Sequence, residues 1–121
     1  MEAPMRLVIG GLLLLSSATA AATSTKCTFY PPATAPVPSV EFLGYERVGP
    51  VLIHGAGGPS TLPYKSWKVV TFDERSKAIH FVYTNPGDPA LPPSFTVKGR
   101  GRHTQLLVGG QTYTGELSCG S

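Results

Sequence analysis

The stretch "KGRGRH", residues 98–103, sets a cation at every second position. In a β-strand, residues two apart share a face. An extended conformation over 94–103 therefore lines up Lys98, Arg100 and Arg102 in one row, with neighbours about 6–7 Å apart. Phe95, Val97, Gly99, Gly101 and His103 fall on the opposite face. Three aligned cations repel one another, and either an anionic partner or plain solvation relieves that repulsion. Two readings stay open. In one, the row binds an anionic group on a protein, a phosphorylated glycan or a lipid headgroup. In the other, it is the charge of a solvated edge strand, which keeps two sheets from pairing.

Other residues invite chemistry less strongly. His54, His80 and His103 stand on three different predicted elements, with no His-x-His or His-x-x-x-His pairing. No metal site is expected from them, and no cofactor. Ser60, His80 and Asp88 supply the residue types of a nucleophilic triad, but nothing in their spacing selects them over chance. The run "VLIHGAGG", 51–58, resembles the His-Gly stretch that follows an early strand in α/β-hydrolases. That resemblance implies oxyanion donors. It also requires a Gly-x-Ser-x-Gly elbow, and Ser60 sits in "GPSTL", without the closing glycine. The stretch reads better as a strand leaving the core and turning sharply, with His54 capping the turn. The expectation is a protein that is not an enzyme.

The elements that must position these residues begin with a leader. "MEAPMR" carries one basic residue ahead of an apolar run from Leu7 to Leu15, and "SSATAAATS" follows. This is the pattern of a secretory signal peptide over residues 1–22, cleaved after about 20–22. The apolar run is about half the roughly 20 residues a bilayer span needs, so no transmembrane anchor is expected after cleavage. A secreted or periplasmic location follows. The chain has two cysteines, Cys27 and Cys119, far apart in sequence. In an oxidising compartment they are expected to form a disulfide, worth about 4–5 kcal/mol on a chain-entropy basis. A zinc or redox pair is disfavoured, because neither Cys-x-x-Cys nor a nearby His is present. The net charge of +3 is mild. The aromatics do not interleave with the basic row, which counts against nucleic acid as a partner.

Residues 23–39 contain "PPATAPVP" and are expected to form an extended, proline-rich arm. Residues 40–121 read as a single all-β domain. "VEFLGYERV" alternates and is broken at Gly49-Pro50, and "VLIH" is a short buried run. "SWKVVTF" and "KAIHFVYT" flank the turn "DERSK" as a hairpin, and Gly109-Gly110 joins another. "NPGDPALPP" is a loop, since its prolines exclude a regular element. No helical periodicity persists over three turns. The expected fold is a small antiparallel barrel or sandwich of about six or seven short strands, closed by one disulfide.

"AIHFVYTN", residues 78–85, resembles a strand of the bacterial periplasmic lysozyme inhibitors, which are also small disulfide-closed β-domains. The resemblance implies an inhibitor of a periplasmic enzyme. The Ser-Gly-x-x-Tyr signature of that group's inhibitory loop is absent, so no site residue is carried over. The function expected is a small exported binding or interaction protein, recognising an anionic protein or cell-surface polymer through the basic strand. The rival expectation is a small hydrolase or a metal-dependent enzyme using His54 or His80.

Overall fold

The structure is a computed structural model that describes residues 25–44 and 48–120. The expected leader, residues 1–22, lies outside the described residues. The chain forms one antiparallel sheet: β1 (Thr25–Tyr30), β2 (Ser39–Gly44), β3 (Val48–Gly55), β4 (Gly58–Thr61), β5 (Trp67–Asp73), β6 (Ala78–Tyr83), β7 (Phe95–Arg100), β8 (His103–Val108) and β9 (Gln111–Gly120). The strand order is β4-β3-β2-β1-β9-β8-β7-β6-β5. The sheet is curled into a half-barrel and does not close, so it is neither the barrel nor the sandwich expected. No helix among the described residues is long and apolar enough to cross a membrane.

Curling follows from how β9 is used. Its first half, Gln111–Gly115, pairs with β8, and its second half, Glu116–Gly120, pairs with β1. One strand thus belongs to two halves of the sheet. Gly115 stands at the change of partner. A Cβ there would run into the Tyr30 carbonyl and lie 2.9 Å from the Phe29 ring. The two halves face each other across a core in which alternate residues point inward. Phe29, Val40, Phe42 and Val51 come from one half, and Phe81, Val97 and Leu106 from the other, all fully buried. Phe42 and Phe81 meet edge to face across the divide, centroids 5.0 Å apart.

The edge strands β4 and β5 are consecutive in the chain, so residues 62–66 bridge the open side. Leu62 fills that side and is 1% exposed, and its N–H donates to the Val51 carbonyl at 2.9 Å. Tyr64–Ser66 form a single 3-10 turn, and the Ser66 carbonyl accepts from Thr84 N–H at 2.9 Å.

Nine strands replace the six or seven expected, because β1 and β4 were hidden in segments read as arm and loop. The expected arm over 23–39 is corrected: β1 lies in the middle of the sheet, and residues 31–38 turn back between β1 and β2. Ala35 N–H donates to the Pro32 carbonyl at 3.0 Å, and Val37 is buried in the core. Gly49-Pro50 is a bulge within β3, not a break. Gly44 pairs with Val48 and Phe42 with Val51, so Gly49 and Pro50 together face Leu43. Proline has no N–H to give the ladder, and a bulge is where a strand tolerates it. A second bulge at Val70, between the pairs Val69–Phe81 and Thr71–His80, rephases the edge strand so that Trp67, Val69 and Phe72 all turn inward. Both expected hairpins are present, with Asp73 paired to Ala78 and Val108 to Gln111.

The expected disulfide is formed. Cys27 and Cys119 are direct cross-strand partners on β1 and β9, Cα atoms 4.0 Å apart, and the bond spans 92 residues of sequence.

Gly115→Ala tests the curl. The added methyl has backbone on one side and a core ring on the other, so the variant should lose about 1–3 kcal/mol or more of unfolding free energy in denaturant titration. Gly57→Ala, where nothing lies within 4 Å of the new methyl, is the control and should lose far less.

Candidate functional site

Lys98 and Arg100 lie on the outer, convex face of β7 and are exposed. β7 runs between β6 and β8, two strands in from the edge. The edge-strand reading of these cations therefore fails on position. The row of three is also corrected. β7 ends at Arg100, and Gly101-Arg102 form the two-residue turn into β8, so Arg102 projects from the turn instead of extending the row. The glycines dictate this. Gly101 has φ 52 at the first central position, the place where a type II′ turn takes glycine. Gly99 has φ 143, and a side chain there would collide with the His103 backbone.

The turn resets the alternation, which moves His103 as well. It pairs with Arg100 and shares its outer face, not the opposite face expected from an unbroken strand. On the other side, His80 of β6 pairs with Lys98. A continuous path His80–Lys98–Arg100–His103 thus crosses three strands on the outer face. Sequence reasoning placed neither histidine beside the cations. The signal that finds them is Gly101 at a turn position, which folds "FTVKGR" back onto "HTQLLV".

Gly101 also fixes what surrounds this path. Its N–H donates to the Lys77 carbonyl at 3.0 Å, and its carbonyl accepts from Leu117 N–H at 2.9 Å and from the Thr104 hydroxyl at 2.8 Å. Thr104 is fully buried, and that bond satisfies it. Lys77 ends the β5–β6 turn in the left-handed region, φ 59. The Asp73 carboxylate accepts from Arg75 N–H at 3.0 Å and shapes the same turn. The turns at 74–77 and 101–102 are therefore bound side by side, adding Arg75, Lys77 and Arg102 to the end of the path, with Asp73 and Glu74 as the acids of that turn.

The "HGAGG" stretch forms the β3–β4 hairpin, with Gly55 paired to Gly58. His54 does not cap it. Its Nε2 lies 2.5 Å from Glu41 Oε1 on β2, and Lys26 Nζ lies 3.6 Å from the other carboxylate oxygen. Ser39 is the direct cross-strand partner of His54, and both line a pocket of about 400 Å³ walled by the 31–38 loop. Ser60, His80 and Asp88 are not brought together. Ser60 pairs with Ile53, whose side chain points inward, His80 is on the outer face, and Asp88 sits in the 85–93 loop. Among the described residues, no group of three or more His, Cys, Asp or Glu is placed to hold a metal ion.

The sheet end opposite the basic turns carries the 85–93 loop. Asn85 organises it: its Oδ1 accepts from Gly87 and Asp88 N–H groups, and its Nδ2 donates to the Asp88 and Pro92 carbonyls. Beneath lies Tyr83, fully buried, whose hydroxyl has no hydrogen-bond partner among the described residues. Burial, and secondarily the Asp88 carboxylate, raise its pKa above the ordinary 10.0. "AIHFVYTN" coincides with β6, and its Ile79, Phe81 and Tyr83 are core residues, so the likeness to lysozyme inhibitors rests on packing positions.

No protein-family model, curated protein or solved structure matches the chain.

Tyr83 gives a pH-dependent prediction. The folded state holds the phenolic proton more tightly than the unfolded chain, so its contribution to stability is complete below pH 10 and declines as pH rises through the folded pKa. Tyr83→Phe removes a buried hydroxyl without a partner. It should leave stability equal or slightly higher at pH 7. It should also lose less stability than the parent between pH 9 and about 11, measured by urea unfolding at each pH.

Proposed function

We propose that this is an exported binding module that captures an anionic partner through the outer face of β7. The observation that carries the reading is the position of Lys98 and Arg100. They are exposed, adjacent and flanked by His80 and His103 on a strand paired along both sides, where no edge has to be guarded. Cations set together there raise the free energy of the unbound protein slightly, and an anion relieves it. The leader-like N-terminus and the disulfide support an exported setting. Arg102, in the turn, extends the surface at its margin.

Retention on a dextran sulfate resin across a salt series tests this. Lys98→Gln/Arg100→Gln should elute at clearly lower salt than the parent, with thermal stability equal or slightly higher, because exposed charge contacts weaken as the Debye length falls to about 8 Å and below. Arg102→Gln alone should shift elution less. Retention that is undiminished in the double variant and insensitive to salt would remove the binding role from β7.

A second reading rests on a different place. Ser39, His54 and Glu41 share the outer face of β2 and β3, with Glu41 holding the imidazole at Nε2 and Ser39 directly across from it. Cross-strand partners stand about 4.5–5.5 Å apart at Cβ, so a rotation of the Ser39 side chain reaches the ring. In this reading Ser39 is a nucleophile, His54 its base, and the 400 Å³ pocket receives an ester. A fluorophosphonate probe followed by peptide mass mapping decides it. Labelling of Ser39 that disappears in His54→Ala supports the reading, and an unlabelled Ser39 eliminates it.

A further inference from the structure

We infer that His80 and His103 are part of the β7 binding surface and make its capture of polyanions stronger as pH falls from neutral to about 5.5. The inference rests on the binding reading above and adds its ligand chemistry and its control.

The register is the basis. His80 is the cross-strand partner of Lys98, and His103 that of Arg100. Cross-strand neighbours lie about 5 Å apart, and Lys98 and Arg100 about 6–7 Å apart along their strand. Four nitrogen-bearing side chains therefore form one zigzag over three strands. Imidazole as a class takes up its proton around pH 6.5, and the path sets two imidazoles beside two permanent cations.

The surroundings do not cancel this gain. Across from His80 on β5 stands Thr71, with Asp73 two residues further on, and the Asp73 carboxylate is engaged by Arg75 N–H. β7 presents Lys98 and Arg100. Beside His103 lie Gln105 on its own strand, Arg102 in the turn, and on β9 Glu116, next after the Gly115 that pairs with Thr104. Lys77, Arg75 and Glu74 occupy the neighbouring turn. Five cations, Lys98, Arg100, Arg102, Arg75 and Lys77, stand around this face against the three acids Asp73, Glu74 and Glu116, so added positive charge there is repelled on balance. A bound anion offsets that repulsion, and this couples binding to protonation.

The same coupling selects the ligand. Its anionic groups must stay charged while the histidines gain protons. Singly charged sulfate esters and the internal phosphates of a phosphate polymer do so, whereas a phosphomonoester gives up its second charge near pH 6. The fitting ligand is a polymer with strong-acid groups repeating every 5–7 Å or closer.

Affinity for two soluble probes, dextran sulfate and inorganic polyphosphate, is measured at pH 7.5 and 5.5 at one ionic strength, with a phosphoserine peptide as the monoester arm. For the parent protein, binding of at least one polymer should tighten roughly fivefold on acidification, the effect of two charges about 5 Å away in a water-like dielectric with ordinary screening. His80→Gln/His103→Gln should gain little between pH 7.5 and pH 5.5, the gain being the ratio of its own two affinities. His54→Gln, which alters the remaining histidine of the chain, should keep the full gain. The polymer that gains more identifies the source of the strong-acid group, and the peptide should gain less than either. A pH-independent parent, or a double variant that gains as much as the parent, overturns this inference. The β7 reading survives that outcome if Lys98→Gln/Arg100→Gln still loses capture at pH 7.5. Absence of binding to both polymers at both pH values overturns both.

Discussion

Everything in this fold depends on one strand changing partner along its length. β9 starts beside β8 and ends beside β1, so this one strand joins the two halves of the curled sheet. Gly115 permits the close approach at that junction, because Tyr30 and the Phe29 ring occupy the space where a side chain would be. Once bent, the sheet faces itself. Its inward residues then have apolar partners from the other half, as in the Phe42–Phe81 contact, and the hydrophobic effect holds the curl closed enough that Leu62 can fill the open side.

The bend has a second effect, on charge. A curled sheet turns one face toward the core and spreads the other over a convex surface, so outward side chains on adjacent strands become a continuous exterior. The cationic path lies there. Its geometry is set by backbone hydrogen bonds at Gly101, which join two turns, the buried Thr104 and β9. The backbone positions of the cations are therefore fixed by a hydrogen-bonded frame. On the proposed reading, this placement would count for more than the modest net charge of +3, because an ordered arrangement of charge discriminates between ligands in a way that diffuse charge does not.

The class of fold was legible in the sequence wherever local chemistry agreed with tertiary structure. Alternation marked β6, the Gly109-Gly110 pair marked the last hairpin, and two isolated cysteines in an exported-type chain marked the disulfide. The misreadings share a cause. Prolines and glycines signal strand ends by their local chemistry, but at Gly49-Pro50 the sheet absorbs them in a bulge, and in the 31–38 segment a proline-rich stretch covers the core with Val37 instead of extending away from it. β4, "GPST", has no apolar alternation because it is an exposed edge, so no periodicity could reveal it. For the candidate site, Lys98 and Arg100 were visible from their spacing. His80 and His103 were not, because their neighbourhood is made by strand register, which is non-local. The Ser39–His54–Glu41 cluster escaped notice for the same reason.

The position of the disulfide has a mechanical consequence. Cys27 and Cys119 face each other near the outer ends of two adjacent antiparallel strands, and nearly the whole described chain lies between them. Tension applied at the outer ends of β1 and β9 meets the covalent link before it reaches the pairs from Thr28–Ser118 to Tyr30–Glu116. The load passes through sulfur, and the sheet behind it stays slack. Force applied along β1 and β9 is thus kept away from the outer face of β7, which β8 separates from β9.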